Sequence, residues 1–467
     1  MMENEINETE PLLINYDRRT DEINIEDNHQ LIESEQQQSS SGQSLGFWSV
    51  IFLTVNATLG AGLLNIPYSF DNSGGIVFAL ILQSIHVLLV ICSLMIISFG
   101  TKISKVNSLQ NLIGYYCGSS WSNLCACSIF IYSYGACITY LIVIGDQFDK
   151  ILEFYYGVDY YKYWYLHRDF LVMTIAIVAI LPLCISKDIS FLRFASFIGF
   201  LSTFYITLLV MIEYIKLPSI NAKIRTEPNR WTDIFKVLPV LTFSFQCQTS
   251  WVPTFAETKN SSNLRIFLMI FFSMFICFLS YSWTALFGLL TFGSSNIQKD
   301  MMQNYDPRDP FVAIGMVLLI IKTIVVYPVL LYCGRIVIEQ LFPFSDNTQQ
   351  SKRRNSIRIT CAIIWVVTSA TLAIYVPNIG VAINYLGSLA NLFVFILPGL
   401  CLYMILFDER QFQMIKHEYG FLANKSLILV ISTLFISYGI GVFAYSICLS
   451  ILEIVQEQMV LEQHTFY

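Results

Sequence analysis

Charged residues are scarce in this chain of 467 residues: Asp, Glu, Lys and Arg make up 13% of it, against 55% hydrophobic and 15% aromatic residues. Histidine is scarcer still, at 5 residues, and no His-Glu-x-x-His arrangement occurs. An enzyme buried in a membrane needs a nucleophile–base pair or metal ligands on facing helices, so this shortage argues against an enzyme. No Cys-x-x-Cys and no Cys/His cluster of zinc spacing is present. The 12 cysteines are scattered mostly through apolar stretches, where Cys behaves as a small hydrophobe. Neither a disulfide framework, nor a metal site, nor an organic cofactor is expected. No basic patch of nucleic-acid type appears, and the net charge of -6 owes much to acids near the start of the chain. Residues 1–46 also lack the apolar core of a cleavable signal peptide.

What is abundant is long apolar sequence, with a mean hydropathy of +0.59. Runs long enough to cross a bilayer, about 20 residues each, fall at 47–70, 75–99, 121–146, 170–186, 190–215, 237–256, 264–292, 310–335, 357–375, 380–407 and 425–453. They predict an all-α integral membrane protein of about 11 transmembrane helices. The turns at Ser186-Lys-Asp-Ile189 and Val376-Pro-Asn-Ile379 are tight. The Lys/Arg excess, above all the cluster from Lys352 to Arg358, falls on connections that share a side with the N-terminus, which places the N-terminus in the cytosol. An odd number of spans then puts the C-terminus outside or in a lumen. Three regions follow: a disordered cytosolic tail at 1–46, a transmembrane domain at 47–453 and a short tail at 454–467. The first tail holds Glu8-Thr-Glu-Pro-Leu-Leu13 and Asp27-Asn-His-Gln-Leu-Ile32. Both fit the acidic dileucine pattern of adaptor-read endosomal and lysosomal sorting signals. Chance matching in an acid-rich tail is the alternative.

The first span is the odd one. Asn56-Ala-Thr-Leu-Gly-Ala-Gly-Leu-Leu-Asn-Ile-Pro67 places two glycines, two asparagines, a threonine and a proline where a membrane helix ordinarily carries Leu, Ile and Val. Glycine weakens a helix, and proline removes a backbone donor. A broken helix survives in lipid only where protein or a cavity satisfies its backbone, so the stretch predicts a binding site. The competing reading is a glycine-lined packing face. Five spans later, Thr242-Phe-Ser-Phe-Gln-Cys-Gln-Thr-Ser-Trp-Val-Pro253 is polar through its middle and ends on proline. Two interrupted spans in corresponding positions point to a transporter, and an odd offset inverts the second unit relative to the first. Spans one to five and six to ten thus read as inverted repeats.

Breaking a helix frees N–H groups on the half that follows and C=O groups on the half that precedes, the first suited to a carboxylate and the second to a cation. An amino acid carries both charges on adjacent atoms. The candidate substrate residues are therefore Thr58, Leu59, Gly60, Ala61 and Gly62 at the first break, the amides facing a carboxylate. At the second they are Phe243, Ser244, Phe245 and Gln246, facing an amino group. Gln246 and Gln248 could instead be hydrogen-bonding glue between helices. Asn56 could offer its amide oxygen to a small cation. His86 reads as a packing histidine before a proton relay. Asp146, Asp149 and Lys150 mark the outer end of the third span as a solvated group.

The first of these motifs, followed by Gly74-Gly75, resembles the opening helix of the sodium-coupled neutral amino acid transporters of the amino acid/auxin permease group. Phe245-Gln-Cys-Gln-Thr-Ser-Trp-Val-Pro253 resembles their sixth helix. Ile144-Gly-Asp-Gln-Phe-Asp149 and Tyr327-Pro-Val-Leu-Leu-Tyr-Cys-Gly-Arg335 are similar to the branch that includes a lysosomal glutamine transporter. The resemblance runs from about Phe47 to the last span. It implies a LeuT-like 5+5 inverted repeat with helices one and six broken, alternating access, and neutral amino acids such as glutamine or asparagine carried with Na+ or H+. In that fold the third span faces the site, which makes Tyr134 a candidate among Tyr132, Tyr134 and Thr139. The family's sodium site pairs the first-helix asparagine with a hydroxyl of the eighth span just before a proline. Here that position is Val325, with Thr323 displaced and Lys322 in mid-span. Asn56, Lys322 and Thr323 are thus the candidate ion-coupling residues. If the Lys322 ammonium takes the sodium position, the carrier is sodium-independent or proton-coupled. A lysine snorkelling towards water is the alternative. The rival function is a membrane amino-acid sensor that binds its ligand without moving it. Lysosomal, endosomal and plasma membranes are all open as locations.

Overall fold

The structure, a computed structural model, describes residues 45–185, 190–216, 223–258, 262–341, 348–375, 379–409, 412–413 and 424–465. Both dileucine motifs and the turns at 186–189 and 376–378 lie outside the described residues. Among the described residues there is no strand, only one isolated parallel bridge between Leu45 and Thr258, where Leu45 N–H donates to Glu257 O at 3.2 Å.

The first span is two helices, α1 (Phe47–Thr58) and α2 (Gly62–Asn72), bent by 60°. Leu59 leaves the helical region at φ -74 and ψ 89. Within α2, Pro67 removes a further internal hydrogen bond. The second span is α3 (Ile76–Ser104). A short helix on the connection, α4 (Leu109–Cys117), leads into α5 (Ser119–Tyr156). Next come α6 (Arg168–Ile185), with a π turn at Ala176–Ile180, and α7 (Ser190–Lys216). The sixth span is again two pieces, α8 (Leu238–Ser244) and α9 (Gln248–Ala256). It is followed by α10 (Asn263–Phe292), α11 (Pro310–Leu341) and α12 (Thr348–Tyr375). The tenth span, α13, joins Ile379–Asn391 to Leu397–Ile405 through a π turn at Leu392–Ile396. The last helix is α14 (Lys425–Thr465).

Among the described residues 9 helices are long and apolar enough to cross a membrane, or 10 with α1 and α2 counted as one span. The remaining member of the expected eleven is 237–256, present as α8 and α9, each too short to cross alone. Helix α5 continues past its expected end at 146 to Tyr156. Helix α14 continues through Thr465, so most of the stretch expected as a short tail is helical. Sequence periodicity marks where apolar side chains stop, whereas a helix runs on into polar sequence as long as its backbone bonds hold.

At the centre, α5 and α11 pack along one another, while α10 packs on α1 and α2, and α13 packs on α8. Trp251, Tyr281, Tyr327, Phe245 and Phe393 are fully buried there. Mid-span hydroxyls mostly satisfy themselves, as Thr54 does on Val50 O at 2.8 Å and Thr58 on Thr54 O at 2.7 Å. Helix α13 packs closely on α8: a Cβ on Gly387 would overlap the Pro239 carbonyl, a backbone atom that cannot move aside. Gly387→Ala is therefore expected to cost ~1–3 kcal/mol and lower the melting temperature of the purified protein. Gly441→Ala on α14, with nothing within 4 Å of the new methyl group, should leave it unchanged.

Candidate functional site at the two helix breaks

The two breaks touch. Gly62, the first residue of α2, lies so close to Ser244, the last of α8, that any side chain on it would collide with Ser244 Oγ. Between them stands the Tyr281 hydroxyl of α10, 2.8 Å from Thr58 O and 3.0 Å from Ser244 O. It shares one proton between the carbonyls that end α1 and α8. Tyr140 of α5 reaches the same place, its hydroxyl 3.6 Å from the position of a Cβ on Gly60. On the other side of the break the amides of Gly60, Ala61 and Gly62 have no backbone acceptor among the described residues. Leu59 N–H is already used on Val55 O at 2.8 Å. Three amides at the start of α2 and the carbonyls at the ends of α1 and α8 thus meet within one junction. The geometry offers donors to an anion and acceptors to a cation a few ångströms apart.

The second break is lined by aromatic rings. Phe245 packs edge-on to Tyr281 with ring centroids 5.0 Å apart, and Phe243 faces Tyr132 at 6.3 Å. Gln246 Nε2 donates to Thr249 Oγ1 at 3.1 Å, and Gln248 Oε1 accepts from Cys247 N–H at 3.0 Å. Both glutamines bond within the break and do not bridge helices. Ser244 Oγ and Gln248 Nε2 are buried without a partner. Tyr134 stands apart from this group, its ring edge-on to Trp365 of α12 at 5.1 Å. Thr139 bonds back to Gly135 O at 3.0 Å. Of the third span, then, Tyr132 and Tyr140 reach the breaks. His86 is fully buried, packed edge-on to Phe395 at 5.3 Å, with Nδ1 3.5 Å from the Tyr438 hydroxyl. Its Nε2 is buried without a partner.

The candidate ion residues separate. Lys322 Nζ donates to Leu59 O at 2.8 Å and to Thr203 Oγ1 of α7. The Thr323 hydroxyl is taken up by its own helix, on Leu319 O at 3.0 Å and Ile320 O at 2.9 Å. Asn56 Oδ1 is buried without a partner, close against Gly199 of α7. Tyr281, Tyr140 and Thr203 are not singled out by the sequence. The one signal for Tyr281 is Ser280-Tyr-Ser-Trp283, a polar group inside an otherwise apolar helix.

At one end of the bundle the connection between α10 and α11 closes over these spans. Asn65 of α2 donates to Lys299 O at 2.8 Å, and Gln303 Nε2 donates to Asp146 O at 2.6 Å. Asp300 accepts from Gln147 Nε2 at 2.7 Å and from Met302 N–H at 2.9 Å. Asp146 and Asp149 are half-buried against Arg168 of α6, at 2.6 and 3.4 Å, rather than forming a solvated group with Lys150. Burial, and next the neighbouring Asp146 carboxylate, push the Asp300 carboxyl from its ordinary 3.8 up to about 7, outweighing the hydrogen bonds that favour its charge. The folded chain therefore holds this proton more tightly than the unfolded chain between about pH 4 and about pH 7, and stability falls as pH rises through that window. Thermal melting across the window should show this slope, and Asp300→Asn should flatten it.

A bundle with two broken spans meeting at a polar junction defines a membrane transport protein rather than an enzyme. The family model described as "Transmembrane amino acid transporter protein" matches residues 43–417, and the chain belongs to that family. It is 34% identical to sodium-coupled neutral amino acid transporter 7 of Danio rerio over 394 residues, covering 81% of this chain and 84% of the relative. The Homo sapiens protein of the same name is 33% identical over 394 residues, with 81% and 84% covered. Solute carrier family 38 member 8 of Homo sapiens is 26% identical over 375 residues, covering 78% of this chain and 86% of the relative.

Proposed function

We propose that this chain is a secondary active transporter of neutral L-amino acids, glutamine- or asparagine-like, that works by alternating access and is coupled to Na+ or H+. The observation that carries the reading is the junction at Tyr281. The substrate carboxylate rests on the amides of Gly60, Ala61 and Gly62, and its ammonium faces the carbonyls that end α1 and α8. Phe243, Phe245 and Tyr132 offer the uncharged surroundings that a neutral side chain needs. The names of the relatives, sodium-coupled neutral amino acid transporters, support the substrate class.

Packing supports a LeuT-like 5+5 repeat. Helix α1 contacts α7 as α8 contacts α13, α10 lies on α1 as α3 lies on α9, and α7 packs on α11 as α13 packs on α5. Each pair of contacts is related by a shift of five spans, with the α5–α11 contact at the centre. The N-terminus faces the cytosol, and the dileucine motifs direct the carrier through a clathrin adaptor to endosomal or lysosomal membranes, with the plasma membrane as the route without them.

Counterflow of radiolabelled neutral amino acids in proteoliposomes tests the transport reading, with glutamine and asparagine expected to exchange. Gly62→Ala, which drives a methyl group into Ser244, should cut exchange by at least ~tenfold, the equivalent of 1.4 kcal/mol. Failure of every amino acid tried to exchange would remove the proposal. Deleting residues 1–40 separates carrier from sensor: a carrier keeps its flux, whereas a sensor that signals through this tail loses its output.

A further inference from the structure

Lys322 lies roughly 18 Å along α11 from its start, at 1.5 Å per residue, and is 3% exposed. Among the described residues no carboxylate pairs with it. A buried cation without a counter-charge is expensive and is retained only where something compensates it. Here the compensation is backbone. Leu59 O is the first carbonyl beyond α1, at the negative end of the helix dipole, and it accepts from Lys322 Nζ at 2.8 Å. Thr203 Oγ1 of α7 accepts a second hydrogen bond from the same ammonium. Three helices meet at one nitrogen.

A free metal cation at this junction would need oxygen ligands from all three. From α11 the group bonded at this junction is an ammonium and not an oxygen; the Thr323 hydroxyl donates to its own helix, and Val325 has only methyl groups. Asn56 Oδ1, one turn before Leu59, is left buried and unpartnered.

Resting on the transport reading above, we propose that the Lys322 ammonium is itself the cation of this junction, that transport is independent of sodium, and that the proton on Lys322 is the coupling ion. In the charged form the ammonium ties the end of α1 to α7 and α11. Transfer of one proton from the ammonium nitrogen to water yields the neutral amine and a hydronium ion, with no other bond changed. The amine makes only neutral hydrogen bonds, roughly half as strong, and α1 is released. Reprotonation from the other side reverses the step.

The groups around this nitrogen leave it to act alone. Helix α1 has no charged residue. On α7, Arg193, Glu213 and Lys216 are each roughly 15–20 Å along the helix from Thr203. On α5, Asp146, Asp149, Lys150 and Glu153 lie beyond Tyr140, towards the C-terminal end of the helix. Helix α10 contributes Arg265 near its start, and α11 itself carries Arg335 roughly 20 Å away. The phenols of Tyr281 and Tyr140 reach the same break.

The test uses the purified full chain in proteoliposomes with radiolabelled L-glutamine, in sodium chloride and in choline chloride. Counterflow should be the same in both salts within about twofold (0.4 kcal/mol). An inward proton gradient in choline alone should drive accumulation that a protonophore collapses. Lys322→Ser, checked by thermal melting for folding, should lose the proton-driven accumulation by at least ~tenfold. Exchange only in sodium would overturn the lysine as cation while leaving the transport reading intact. Exchange in both salts that ignores the proton gradient would overturn proton coupling. No exchange in either salt would overturn the transport reading and this inference with it.

Discussion

An unpaired peptide group in a hydrocarbon core costs several kcal/mol, and two broken spans create several such groups at the same depth. Everything at the centre of this protein answers that constraint. The carbonyls that end α1 and α8 share the Tyr281 hydroxyl, and the carbonyl beyond α1 is covered by Lys322. Two side chains from two different helices therefore hold the acceptor side of the junction. On the donor side the Gly60 amide meets the Tyr281 hydroxyl, and the amides of Ala61 and Gly62 have no backbone acceptor among the described residues. A structure that satisfied both sides would be a kinked helix and nothing more. Satisfying one side and leaving amides over on the other gives a junction with hydrogen-bond donors to spare.

The same junction explains why glycine and serine face one another across it. Gly62 lets the start of α2 come within contact distance of Ser244, bringing both ends under one hydroxyl. Further out, the connection between α10 and α11 reaches Asn65 of α2 with one carbonyl and Gln147 of α5 with the next residue's carboxylate. The connection at 223–237 joins it, with Ser294 N–H on Lys223 O at 3.1 Å and Arg225 N–H on Ser294 Oγ at 2.7 Å. Closure at that end is made of backbone groups and the polar side chains of Asn65, Gln147, Ser294 and Asp300.

Both breaks were legible in the sequence, because Gly60, Gly62, Asn65 and Pro67 stand where lipid-facing helices carry aliphatic residues, and Gln246 to Ser250 do the same in the sixth span. Lys322 was legible for a similar reason, as a charge in mid-span. Their partners were not. Thr203 belongs to a helix whose Ser202 and Thr207 hydroxyls bond their own backbone, and nothing local distinguishes it from them. Tyr281 is one aromatic residue in a helix full of them, and its role depends on which face of α10 meets the breaks. Tyr134 and Tyr140 differ in the same way: the helix phase that sends one to Trp365 and the other to Gly60 is set by packing, not by residue type. The count of about eleven spans was legible too, because the broken sixth span, α8 and α9, keeps its apolar composition although neither piece is a long helix.

The bridge of Leu45 to Thr258 lies at the far ends of both broken spans, immediately before α1 and just after α9. It fastens the outermost points of two levers whose inner ends meet at Tyr281. Separating the two ends would break that backbone hydrogen bond. The described chain therefore begins where the outer ends of both broken spans are held together by one backbone hydrogen bond.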